Sequence, residues 1–482
     1  MAYISYTSRR ERVRPMSAAP QQRDLTTGPI TKTLLLFALP TLGANVLQSL
    51  NQSINSIWVG NMLGETALAA TSNAGFVMFL TFAAMFGLAM ATTVMIGQAM
   101  GRRDVETARR TLGTAIGMVT LIGLVTGLAG WFAVDRLLHI LATPKAALPM
   151  AFVYSRVMFA SLPFVFLGIL LSSALRGAGD AVSPLRAMML SVGIDITLNP
   201  LLIAGIGPFP KLGIAGSAIA SLIAGVVSLG YLLFYIYRKD LVIRLRGAEL
   251  RWLKPDRALM GAIVKMGVPM GLTMILLSGS MLVMIGLVNR SGVETTAGYA
   301  AISQLWNYIQ MPAMAVGAAV SAMAAQNIGA GRWDRIERMA VSGCAINVAM
   351  TTVMVILLSL IDRPLLGLFL TPDSPSVPIA IHIHLIVSWS FILFGISFVL
   401  TSIVRANGVV VAPLLILVVA LFPARMGFAF GFHPSMGAEA IWWSFPVGAI
   451  ASAILTISYY RFGNWRAAKV LPGAPAPVAA AD

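Results

Sequence analysis

Along this chain of 482 residues, apolar stretches long enough to cross a bilayer recur near 34–58, 74–97, 112–134, 152–174, 184–203, 213–237, 260–288, 297–323, 340–361, 380–404, 409–430 and 437–460. A spanning helix needs about 20 such residues, and each stretch approaches or exceeds that. In hydrocarbon every backbone N–H and C=O must find its partner inside the protein, so stretches of this length read as helices. The expected fold is an all-α polytopic membrane protein with twelve transmembrane helices. Composition agrees: 58% of residues are hydrophobic, 11% are charged and the mean hydropathy is +0.83, far more apolar than a soluble domain.

A net charge of +16 would suit a nucleic-acid binder, but its distribution argues otherwise. With the N-terminus inside, 27 of the 34 Lys and Arg fall on the N-terminal arm, the inner loops and the C-terminal end. The other 7 are Arg136, Lys145, Arg156, Lys211, Arg290, Arg363 and Arg425. This is the positive-inside bias. It predicts both termini in the cytoplasm, a multi-pass position in the cell (inner) membrane, and no nucleic-acid partner. Residues 1–31 carry Arg9, Arg10, Arg12 and Arg14 without the apolar core of a cleavable signal, and are expected to form a disordered cytosolic arm. Residues 467–482 are expected to form a disordered tail. The single cysteine, Cys344, excludes an internal disulfide.

The two halves repeat at an offset near 229 residues. Pro40 matches Pro269, Glu65 matches Glu294, Gln98 and Gly101 match Gln326 and Gly329, and Thr143-Pro144 matches Thr371-Pro372. Arg176, Gly179 and Pro184 match Arg405, Gly408 and Pro413 with identical internal spacing. Six helices per half return the chain to its starting side, so the repeats must be parallel, related by an axis along the membrane normal. The expected organisation is two pseudo-symmetric six-helix lobes, 32–237 and 258–466, joined by a basic cytosolic linker over 238–257. Such lobes rock about a site near mid-membrane. Pro40 and Pro269, early in the leading helix of each lobe, are hinge candidates, with a static kink as the alternative.

Asp195 is the acid that lies well inside an apolar segment, where a charge costs roughly 3 kcal/mol on insertion scales. Asn199 shares its helix face, Ser191 lies one turn earlier, and Pro200 frees the carbonyl of Ile196. Ser217 and Ser221 form a second i, i+4 pair. Carboxylate, amide, hydroxyls and carbonyl suit Na⁺ at Asp195. A lone buried carboxylate equally suits H⁺, and H⁺ is the favoured ion. In the first helix Thr41, Asn45, Gln48, Gln52 and Asn55 fall within about 80° of arc, a polar stripe that reads as a cavity wall or as interhelical glue. Gln304, Asn307 and Gln310 recur at three-residue spacing among Trp306, Tyr308 and Met311, a mixture that suits flat lipophilic cations.

At these segments the chain resembles the multidrug and toxic compound extrusion (MATE) family from about Thr33 to Arg466. The resemblance is carried by LPTLGANVLQSLNQSINSIWVG, IGQAMGRRD, ALRGAGDAVSP, NPLLIAGIGPFPKLGIAGSAIAS, AAQNIGAGRWD and VRANGVVVAPLL. It implies twelve helices in two lobes and export of lipophilic, cationic compounds driven by H⁺ or Na⁺, with no cofactor and no catalysis. A monomer is expected. The chain departs from the family in three places: Asn55 stands where an Asp is frequent, Asp195 and Asn199 reverse the usual Asn-then-Asp order, and Leu277 stands at or near a Glu of some members.

Two rivals remain at this level. A flippase for lipid-linked sugars or amphiphiles would need a cationic central cavity, and Arg and Lys are scarce at mid-membrane apart from Arg425. An intramembrane aspartyl protease is suggested by Gly177-Ala178-Gly179-Asp180, but needs a second aspartate sharing a proton with Asp180. His382 and His384 point to different helix faces, which argues against a metal site.

Overall fold

The computed structural model describes residues 24–141, 143–371 and 374–468. The arm up to residue 23, Pro372 of the repeated Thr-Pro pair, and the tail from residue 469 lie outside the described residues. The N-terminal half builds α1 (Ile30–Leu63), α2 (Glu65–Gly101), α3 (Val105–Ile140), α4 (Leu148–Gly177), α5 (Val182–Ala204) and α6 (Ile214–Arg238). The C-terminal half builds α7 (Arg257–Val288), α8 (Val293–Gly329), α9 (Trp333–Leu360), the short α10 (Asp362–Leu366), α11 (Ser376–Val387), α12 (Ser390–Ala406), α13 (Val411–Val419), α14 (Gly427–Met436) and α15 (Glu439–Phe462).

Eleven helices are long and apolar enough to cross a membrane, and α11 with α12, bent by 44°, makes a twelfth crossing. That bend is absent from the sequence reading. It falls at Ser388 and Trp389, where the Ser390 hydroxyl donates to the Val387 carbonyl (2.6 Å). The eleventh crossing is also irregular, because Ala420–Met426 between α13 and α14 is π-helical. Pro423 inside it lacks an N–H and crowds the carbonyl four residues back, so the ladder widens there. On α3, Leu121, Leu124, Val125, Leu128 and Phe132 are exposed on one face, the apolar stripe a lipid-facing helix presents.

The duplication is visible in the packing. Helix α1 packs on α8 and α2 on α7, and under the repeat α1 corresponds to α7 and α2 to α8, so these are two copies of one contact. A twofold along the membrane normal requires this, with α2 meeting α8 near the axis. At the end of the molecule that carries both described termini the lobes are sealed. Gln98 Nε2 donates to the Ala406 carbonyl (2.7 Å), and Gln326 Nε2 donates to the Gly177 carbonyl (2.9 Å). Both amides are buried. Gly101 and Gly329 let the backbones meet: a Cβ on Gly101 would strike the Gln326 carbonyl, and one on Gly329 the Gln98 carbonyl.

The structure departs from the expected disordered arm at its inner end and gives the linker its form. The end of the arm is ordered, with Leu25 fully buried, its N–H donating to Gln326 Oε1 (3.2 Å) and its carbonyl accepting from Asn327 Nδ2 (3.0 Å). The linker is a folded strap. Its 3₁₀ turn, Gly247–Leu253, seats the Trp252 and Leu253 backbone in a groove that Gly113 and Gly117 open on α3. Arg109 pairs with Glu249 (2.8 Å) and Arg110 with Asp256 (2.9 Å).

Candidate functional site

Asp195 lies near the middle of α5, 2% exposed, inside the N-terminal lobe. Its Oδ1 accepts from Ser221 Oγ of α6 and its Oδ2 from Asn51 Nδ2 of α1, both at 2.9 Å. One turn along α1, Asn55 Oδ1 accepts from Ser217 Oγ (2.9 Å). Three helices are thus stitched through two amides, two hydroxyls and one acid. Asn199 is 1% exposed with neither amide atom partnered, and Asn51 Oδ1 is likewise buried and unpartnered. A buried amide left unmet costs about 1–3 kcal/mol per group, so the cluster has vacant bonding capacity.

Of the predicted stripe on α1, the structure brings only Asn55 into this cluster. Thr41 is buried and donates to the Phe37 carbonyl of its own helix (3.2 Å), Asn45 is half-buried, and Gln48 and Gln52 are exposed. Asn51 was missed. It lies about 40° beyond Asn55 around the helix, outside the arc drawn from the other five, although its i, i+4 relation to Asn55 was legible.

A second polar feature lies in the other lobe, in a cavity of about 600 Å³. Its walls come from α7 (Leu277, Met281), α12 (Phe391, Phe394), α15 (Phe445) and the π segment, with Phe79 of α2 on the facing side. Gln310 lines it, whereas Gln304 and Asn307 of the same predicted triad are exposed. The cavity therefore belongs mainly to the C-terminal lobe rather than sitting evenly between the two. Asp195 is not among its lining residues. Arg425 is: the charge count assigned it to the outer side, but it lies in the π segment within the crossing, 8% exposed. Its guanidinium sits 3.6 Å above the Phe445 ring, and its Nε and Nη2 are buried without a partner.

The remaining candidates resolve structurally. Asp180 caps α5, accepting from the Val182 and Ser183 N–H groups (3.0 and 2.9 Å) and from the Ser183 hydroxyl (2.6 Å). It stands about 20 Å along the helix from Asp195, too far for two carboxyls to share a proton. His382 pairs with Glu439 (2.7 Å), while His384 is buried between Trp306 and Ser359. Pro40 and Pro269 sit inside unbroken helices.

The MatE family model matches the chain twice, over residues 40–201 and 269–430, at the spacing of the internal duplication. A probable multidrug resistance protein of Bacillus subtilis (strain 168), YoeA, is 33% identical over 90% of this chain and 94% of its own length. A second from the same organism, YpnP, is 30% identical over 93% of this chain and 98% of its own length. Among solved structures, a multidrug resistance MATE family transporter in an outward-facing conformation superposes with a TM-score of 0.83 at 21% identity, covering 91% of this chain and 96% of that one. With the duplicated family match, the twelve-crossing two-lobe fold and relatives alike over nearly full length, the chain belongs to the MATE family of multidrug efflux transporters, which are membrane carriers and not enzymes.

Proposed function

We propose that this protein is a cation-coupled multidrug antiporter of the cell (inner) membrane, with both termini cytoplasmic, in which H⁺ at Asp195 is exchanged for lipophilic cargo. The observation that carries this reading is the bridge from Asp195 to Asn51. It ties the one acid of the cluster to α1, and α1 also packs across the lobe boundary on α8. Protonating Asp195 weakens the charge-assisted bond to Asn51 and loosens α1 from α5 and α6. Pro40 lies between that bond and the end of α1 at the inter-lobe seal, where a proline permits bending. Ion occupancy in one lobe is thereby felt at the contact that must open for access to alternate.

H⁺ is favoured over Na⁺ because each oxygen of Asp195 already accepts a protein hydrogen. A Na⁺ ion would have to displace these donors and gather several oxygens around a single acid. Unpartnered Asn51 Oδ1 and Asn199 Oδ1 are the acceptors such an ion would use. Cationic cargo, expected from the sequence, would meet aromatic faces in the C-lobe cavity and no carboxylate among its lining residues. A flippase holding a pyrophosphate would need several cations, and the lining supplies one.

The test is reconstitution in liposomes loaded with ethidium under a pH gradient alone or a Na⁺ gradient alone. Efflux driven by the pH gradient and not by Na⁺ is expected. Transport driven only by Na⁺ would overturn the choice of ion, and transport driven by neither would overturn coupling.

A further inference from the structure

Arg425 has no role in the ion coupling just described, yet the fold goes out of its way to hold it. The π segment carries it into the crossing, and Gly448 of α15 makes room, since a Cβ there would come within 3.0 Å of the Arg425 Cβ. Phe445 covers one face of the guanidinium at 3.6 Å. No described carboxylate pairs with it; Arg405 is also buried without an acid, but its Nη2 donates to the Thr273 hydroxyl (3.1 Å), whereas Nε and Nη2 of Arg425 have no partner. A guanidinium is always charged and offers five donors in a fork matched to a planar oxyanion. Placing it unpaired in a low-dielectric wall is unfavourable unless something brings a negative charge to it.

We propose that Arg425 is an oxyanion subsite, so that the cavity takes amphiphiles bearing a carboxylate or phosphate beside an aromatic or lipophilic body. The volume of about 600 Å³ falls within the usual range for drug-sized ligands. Phe79, Phe391 and Phe394 would cover the flat body, Gln310 would reach a polar substituent, and Arg425 would fix the charged end. The proposal rests on the efflux reading and adds zwitterions and anions to its cargo. The same oxyanion chemistry is carried by free cargo and by an anionic phospholipid headgroup.

The experiment is fluorescence-polarisation binding of rhodamine B and of its ethyl ester, which differ only in the free carboxylate. The full-length protein is held in phosphatidylcholine nanodiscs, as wild type, Arg425→Gln and Arg425→Lys. Wild type is expected to prefer the free acid by about tenfold, the range of one charge-assisted contact. Arg425→Gln should lose the preference, with measurable ester binding reporting that the variant is folded, and Arg425→Lys should keep part of it. Equal affinities in wild type, or a preference that survives in Arg425→Gln, would overturn the subsite. Should Arg425→Gln fail to bind the ester, the decision passes to wild type and Arg425→Lys, where an unchanged preference with lysine favours a charge subsite and equal affinities again refute it. Repeating the titration with phosphatidylglycerol separates the sources: loss of the preference there means a lipid headgroup fills the same oxyanion site, and its persistence means free cargo does. Binding needs no gradient, so these outcomes are independent of whether transport is coupled to H⁺.

Discussion

In the proposed mechanism, Asn51 is the residue through which the buried acid acts on the rest of the molecule. Replacing it with leucine removes the donor to Asp195 and leaves one carboxylate oxygen unmet. A hydrogen bond to a charged group is worth about 1.5 kcal/mol or more, so Asn51→Leu should lower gradient-driven efflux by about tenfold or more. Ser221→Ala should behave similarly, and wild-type rates in both would remove the cluster from the mechanism. Asp195 itself was legible because a lone charge in an apolar run is expensive wherever it points. Asn51 was not, because amides around a helix give no sign of which will face a partner helix until α5 and α6 are in place. Outside the membrane, the Asp256 carboxyl is held below the usual carboxylate range chiefly by the Leu259 N–H, with help from Ala258 and Arg110. Its folded value is depressed, so its stabilisation is present above an unfolded value of about 3.9 and is lost as pH falls through the lower folded value. Asp256→Ala should cost up to about 1 kcal/mol as a lost helix cap, less for its exposure, near neutral pH. The gap between the melting curves of the two proteins should shrink as pH falls below about 3.9, and a gap that stays constant or widens there would contradict this.

Among elements, the seal between the lobes is the best defined. It is made twice, by Gln98 and Gln326 reaching carbonyls of the opposite lobe and by Gly101 and Gly329 admitting those backbones. Valine at either glycine would meet a carbonyl that has no room to retreat. Gly101→Val and Gly329→Val are therefore expected to shift the population toward a state open at the terminus-bearing end. The readout is spin-label distance between the ends of α2 and α8, which should lengthen in both variants; unchanged distances would mean the close approach is not what holds the lobes. The sequence aligned these residues as repeated breakers without revealing their partners, since a repeat exposes equivalence and not contact. The bend between α11 and α12 and the π segment escaped for a related reason. Serine and proline inside an apolar run do not by themselves announce a break, since Pro40 and Pro269 sit inside unbroken helices.

For the whole molecule, apolar length and the internal repeat sufficed to outline the architecture, because a bilayer leaves so few ways to satisfy a backbone. Segments outside the membrane were less legible. The strap between lobes reads as a charged linker, yet it is anchored to α3 by glycines whose purpose appears only when Trp252 and Leu253 lie over them. Anchored there, the strap is packed on the N-terminal lobe and leads directly into α7. Under the proposed mechanism, one acid in the N-terminal lobe powers movement of cargo bound in the other. The most direct test is ethidium efflux from liposomes under an imposed pH gradient, comparing wild type with Asp195→Asn. The expected result is loss of gradient-driven efflux in a variant that still folds and still binds ethidium. Efflux at the wild-type rate in Asp195→Asn would contradict the account.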